Sequence, residues 1–200
     1  MKKTILILAM IAACSIFNLQ AQQEHMYCDA EKWSKQPGLI LERKVFSIGA
    51  FLKKDSSKDS LHFIVAKFTD HKTGVVKSYL EIYLFLMIRE KYKEPKLFSN
   101  SISLNIEDVD GVLEILKNIQ SGEFVTENSS FEYHSNSGFS IYCYGSNWDG
   151  KLCLPENNIE VIMGKLSRNP KVIESLTIIN FNKENFYQLI SLFEQAKEKM

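Results

Sequence analysis

The sequence predicts an α+β fold: two tandem antiparallel β-sheet-plus-helix repeats forming one pseudo-symmetric domain. Three observations carry this expectation. Residues 102–119 and 179–196 match at a constant offset of 77, with Ile102 on Ile179, Leu104 on Phe181, Val112 on Leu189 and Leu116 on Phe193. Asn105 and Glu107 fall on their identical counterparts Asn182 and Glu184. Each copy has apolar residues alternating at period two, then a polar residue able to cap, then apolar residues at helical spacing, which is a strand running into a helix. Before each copy, β-branched and aromatic runs are punctuated by turn signals and read as further strands.

Composition sets the frame for these repeats. At 200 residues, 45% hydrophobic and 24% charged, the chain is long enough to bury a core and too apolar for disorder. Lys2 and Lys3 precede an apolar run, Thr4 to Phe17, and Ala21 supplies a small residue before Gln22. This is the pattern of a secretory signal peptide, residues 1–21, cut after Ala21. A competing cleavage point is the lipobox-like Ile11-Ala12-Ala13-Cys14, with Cys14 as the acylated residue. Its short apolar stretch, and Ile16, Phe17 and Leu19 after the cysteine, weigh against it. Loss of Lys2 and Lys3 leaves 22 basic against 24 acidic side chains, a net charge of −2. Such a chain has no long-range attraction for phosphate backbones, so strong nucleic-acid binding is not expected. No later apolar run reaches the ~20 residues of a membrane span. The implied location is the periplasm, the cell surface or the medium, where Cys28, Cys143 and Cys153 can form disulfides.

Residues 22–38 form a polar N-terminal extension ending in the turn Gln36-Pro37-Gly38, with Trp33 expected to pack back onto the domain. The first repeat spans 39–121. Leu39–Leu52 and Leu61–Thr69 read as strands around a charged, serine-bearing tip, and Asp70 to Gly74 marks a turn. Tyr79–Ile88 satisfies both strand and helix spacing, and its aromatic and β-branched content favours a strand. After Pro95, Ser99–Asn105 is a strand and Asn105 caps a helix from Ile106 to about Gln120. Acidic Glu107, Asp108 and Asp110 suit its first turn, and Gly122 suits its C-terminal cap.

The second repeat, 122–200, follows the same order. A broken strand region, Phe124 to His134, precedes Phe139–Gly145 and Lys151–Leu154, which flank the hairpin signal Ser146 to Gly150. Ile159–Leu166 falls on Ile82–Arg89 and shares the strand-or-helix ambiguity of that region. Ser175–Phe181 is the last strand, and Asn182 caps a final helix whose Phe186, Leu189, Ile190, Phe193 and Ala196 share one face. Neither half offers its sheet and helix enough partner surface, so the two are expected to share a core.

A duplicated unit of four strands and a helix, across roughly Leu39 to Lys199, resembles the Whirly type of single-stranded DNA-binding protein in element order. The resemblance implies that fold. That family's basic DNA-contacting motif has no counterpart here, so no residue inherits a DNA contact.

Chemistry-bearing motifs are sparse. There is no Gly-x-Ser-x-Gly elbow, phosphate loop, dinucleotide fingerprint or His-Glu-x-x-His. His25 and Cys28 are only two of the four ligands a zinc site needs, so no metal or other cofactor is expected. His62, His71 and His134 read as ordinary strand and turn residues. The aromatic residues carry more. If Ile141 and Cys143 face the core, Tyr142 and Tyr144 line the opposite face of their strand with Trp148 nearby, a row that can stack on sugars or bases or enter a protein interface. For Cys143 and Cys153, two hairpin registers are open. An odd-numbered loop about Trp148 sets them opposite each other for a disulfide, whereas an Asp149-Gly150 turn sets Cys143 against Glu156. The residues thus argue for a secreted or envelope-associated bacterial protein, binding or structural rather than enzymatic. Its partner would be a protein or carbohydrate, and self-association is compatible with the pattern. A single-stranded nucleic-acid-binding module is the competing class and a hydrolase the third.

Overall fold

A computed structural model describes residues 27–52, 60–88, 96–122, 130–144, 149–155, 160–163 and 178–200. The proposed leader and both of its cleavage points, His25, Trp148, and the tips 53–59 and 89–95 lie outside the described residues.

A short helix, α1 (Asp29–Ser34), opens the described chain. Strands β1 (Leu41–Leu52), β2 (Ser60–Asp70), β3 (Val76–Ile88) and β4 (Lys96–Leu104) lead into α2 (Ile106–Ser121). Then come β5 (Ser130–His134), β6 (Ser140–Tyr144), β7 (Asp149–Cys153), β8 (Glu160–Met163) and β9 (Ile178–Phe181), and finally α3 (Lys183–Lys199). The ambiguous Tyr79–Ile88 run is therefore a strand. Its burial alternates, with Leu80, Ile82 and Leu84 on one face and Glu81, Tyr83 and Phe85 on the other, which a helix would not give. Of Ile159–Leu166, the described part is also a strand.

The helix ends follow local rules. Asn182 accepts the Glu184 N–H at 3.1 Å while Asn185 Oδ1 accepts the Asn182 N–H at 2.8 Å, so two orphan donors are satisfied reciprocally. At α2, Asp108 Oδ2 accepts the Asn105 N–H at 3.1 Å, and the Asn105 amide oxygen also receives the Ala30 N–H at 3.3 Å, tying α1 to the start of α2. Gly122 takes the left-handed cap at φ 71°.

All pairings are antiparallel and build two sheets, β1-β2-β3-β4-β8 and β5-β6-β7-β9. Two sheet-and-helix units in tandem are thus present, but their strand orders differ. β8, the counterpart of β3 at the 77-residue offset, leaves its own unit and pairs with β4 of the first, Phe98 opposite Val161. β4 accordingly lies inside its sheet between β3 and β8, whereas among the described residues its counterpart β9 pairs only with β7. The strand–helix units recur; the pairing around them does not.

The inner faces of both sheets and the apolar stripes of α2 and α3 close on one core. Leu61, Phe63, Leu80, Ile82, Ile102 and Leu104 come from the first sheet, and Ile141, Leu152, Ile179 and Phe181 from the second. Phe63 meets Phe193 of α3 edge to face at 5.3 Å. Such fully buried aromatic and aliphatic side chains each contribute about 1.5–3 kcal/mol. On the far face of the first sheet, Cys28, Ala30 and Trp33 cover Ala66, Phe68 and Tyr79 in a smaller cluster, so Trp33 does pack back onto the domain.

Candidate functional site

Period-two alternation divides the second sheet into a core face and an open one. Phe131, Tyr133, Ile141, Cys143, Leu152, Ile179 and Phe181 belong to the core cluster or pack on it. The residues between them, Glu132, His134, Ser140, Tyr142, Tyr144, Lys151, Cys153 and Asn180, therefore share the other face. Register aligns them in rows: Glu132, Tyr142, Lys151 and Asn180 in one, and His134, Ser140, Cys153 and Ile178 in the next.

Tyr142 and Tyr144 thus stand on the face opposite Ile141 and Cys143, as their alternation predicts. Tyr144 is 44% exposed and Tyr142 half-buried. The Lys151 ammonium lies over the Tyr142 ring at 4.5 Å and 5.9 Å from the Tyr144 ring centre. A hydrogen bond with Tyr144 raises the Lys151 pKa, so the ammonium stays charged. His134 meets the Tyr142 ring edge to face at 5.4 Å.

Sequence reasoning passed over His134, which is the centre of a polar chain. Its Nδ1 lies 2.9 Å from Ser140 Oγ, and its Nε2 lies 3.4 Å from Glu132 Oε2. Glu132 and His134 share a face because they are two apart on β5, and Ser140 is the direct cross-strand partner of His134. The signal was present as Glu-x-His, a short turn and a serine, but only the hairpin register brings the serine to the histidine.

The disulfide weighed for Cys143 and Cys153 does not form: both thiols are free. Tyr144 pairs with Asp149 and Cys143 with Gly150, while Cys153 pairs with Ser140. Neither expected register occurs. The two cysteines sit three steps apart on opposite faces, Cys143 with its thiol pushed up to about 12 by burial. Gly150 accounts for the difference. It belongs to the strand rather than to a turn, and a β-carbon there would meet both the Phe181 ring of β9 and the Tyr142 backbone carbonyl of β6. Cys28 is likewise free and buried, its thiol pushed up to about 12 chiefly by desolvation.

A second polar group, also missed by sequence, lies on the far face of the first sheet. Glu31 of α1 receives a hydrogen bond from Ser103 and pairs with Lys35 at 2.8 Å. Glu81, opposite Ser103 on β3, has a raised pKa because burial disfavours its charge; the Tyr83 hydrogen bond opposes this and Glu31 adds to it. Its interruption of the Tyr79–Ile88 run marks the place where α1 is fastened.

Among the described residues, no three His, Cys, Asp or Glu side chains are arranged to hold a metal ion. A cleft of about 390 Å³ is lined by Asp29, Lys77 and Glu107 where α1, α2 and β3 meet. A groove of about 650 Å³ between α2 and α3 is spanned by the pairs Lys117–Glu194 and Lys197–Asp110. Among the described residues, neither is lined by a histidine or cysteine. No helix of the described residues is long and apolar enough to cross a membrane.

No family model, curated protein or solved structure matches this chain. The Whirly resemblance accordingly rests on element order alone.

Proposed function

We propose that this is an exported binding protein whose ligand-contacting surface is the open face of the second sheet, and that its ligand is a carbohydrate. The observation that carries the reading is Tyr144, 44% exposed beside Tyr142, with Lys151 lying across both rings. A solvent-facing ring held by a neighbouring cation is a rigid stacking platform whose ordering is already complete before binding. Its surroundings, Glu132, Asn180 and Asp149, are polar donors and acceptors rather than an apolar rim. That composition suits the hydroxyls and apolar ring face of a sugar better than the apolar centre of a protein interface. Export is supported by the basic, apolar and small-residue order of the first 21 residues. Binding rather than turnover is the role that the tyrosines themselves support.

The test is titration of the purified protein with soluble and insoluble bacterial polysaccharides, comparing wild type with Tyr144→Ala. Loss of one stacking contact of about 1–3 kcal/mol should weaken binding by about 5–150-fold. Binding indifferent to Tyr144, or none to any polysaccharide, would overturn the reading.

A further inference from the structure

We infer that Glu132, His134 and Ser140 form an acid–histidine–serine relay, and that Ser140 is an acylatable nucleophile able to hydrolyse carboxylic esters. The three side chains stand in one chain of contacts, 3.4 Å from Glu132 to His134 and 2.9 Å from His134 to Ser140. The roles follow from the two ring nitrogens. Glu132 faces Nε2 and favours the tautomer with its proton there, which leaves the Nδ1 lone pair directed at the Ser140 hydroxyl. Nucleophile, base and orienting acid within hydrogen-bond reach define an activated serine, and apo sites tolerate the longer of these distances. Two strands of one hairpin set the geometry: Glu132 and His134 alternate onto the same face, and the register fixes Ser140 opposite His134.

The chemistry balances with water alone. Ser140 Oγ bonds to the ester carbonyl carbon as its proton passes to His134 Nδ1. The bond from that carbon to the alkoxy oxygen then breaks, and the alcohol leaves with the proton. Water, deprotonated by the same nitrogen, adds to the acyl carbon, releasing the carboxylic acid and restoring Ser140. The site is open to solvent, so small activated esters are the substrates it can take without a shaped pocket.

The inference is separate from the carbohydrate reading, and one set of measurements distinguishes them. Wild-type protein is incubated with a fluorophosphonate probe, whose phosphorus bonds to a nucleophilic serine with loss of fluoride, and the labelled peptide is mapped. Hydrolysis of p-nitrophenyl acetate is followed in parallel. The relay predicts labelling at Ser140 and turnover about 10²-fold above that of Ser140→Ala. Glu132→Gln should lower kcat with KM unchanged, because Glu132 orients the base and does not touch the ester. Circular dichroism confirms that the variants fold. Absence of labelling, or turnover unaffected by Ser140→Ala, would overturn the relay and leave the binding proposal standing.

Discussion

Alanine at Gly111 should destabilise this protein, although in an open helix the same change stabilises by about 1 kcal/mol. Gly111 lies in the interior of α2, and the Tyr133 ring of β5 rests directly on it. A β-carbon there would come within 2.9 Å of two ring atoms and closer still to a third, so the ring must move. The ring is not free to move without loss, because Tyr133 donates to Asp108 Oδ1 at 2.7 Å. Asp108 in turn caps α2 through the Asn105 N–H. Overpacking costs about 1–3 kcal/mol, and a hydrogen bond to a charged group contributes about 1.5–3 kcal/mol. Even at the low end these outweigh the helix gain, so Gly111→Ala should lose about 2 kcal/mol, or about 4–8 °C in Tm. With Tyr133→Ala in the background the clash is gone, and Gly111→Ala should become stabilising by about 1 kcal/mol. Urea denaturation of the four proteins of this cycle measures both effects. A stabilising Gly111→Ala in the otherwise native chain, or the same sign in both backgrounds, would refute the argument.

Four other outcomes follow from the structure. The Asp70 carboxylate accepts from Thr73 Oγ1, Lys72 N and Ile40 N, and these bonds, the Thr73 one foremost, lower its pKa. Its contribution is therefore full above the ordinary carboxylate pKa of about 3.9 and is lost as pH falls through the lower folded value; the gap between the urea midpoints of wild type and Asp70→Asn should therefore narrow as pH falls below that ordinary value, and a constant gap would refute this. Glu81 has the opposite sign, its folded pKa raised by burial, so Glu81→Gln should stabilise at pH 7 and lose that advantage in acid, and a destabilised variant at pH 7 would contradict it. Thiol titration under denaturing, non-reducing conditions should count Cys28, Cys143 and Cys153 all free, where a count of one would reveal a bridge. Mass spectrometry of exported material should find a chain beginning at Gln22, and a lipid on Cys14 would instead establish the lipoprotein route.

What sequence could and could not show divides along local and non-local physics. Periodicity, caps and turn residues act over a few positions, so α2, α3, their asparagine caps and most strands were legible. Pairing depends on partners far along the chain. Nothing local at Ile159 to Leu166 says that β8 will join β4 rather than a strand of its own unit. α1 was missed for a related reason: its Asp29–Ser34 segment has no apolar stripe and owes its place to Glu31 on Ser103, Ala30 on Asn105 and Cys28 in the small cluster. Gly150 misled in the same way. After Asp149 it imitates a turn, yet the space a β-carbon would need is taken by a ring from β9 and a backbone carbonyl from β6.

That glycine also governs the candidate site. A slip of one residue in the β6–β7 pairing would move every side chain of one strand to the other face, burying Lys151 and exposing Leu152. A β-carbon at Gly150 would collide with the Tyr142 backbone carbonyl of β6 as well as with the Phe181 ring of β9, so the absence of a side chain lets β7 lie close to both neighbours. The β6–β7 register sets Lys151 beside Tyr142, and Cys153 beside Ser140. On the other flank, Tyr133 is held down by Gly111 and Asp108, which fixes the alternation that raises Glu132 and His134 to the open face. The core contacts of Phe181 and Tyr133 therefore position a surface they do not touch, and substitutions at Gly150 or Gly111 should disturb ligand binding and serine reactivity together.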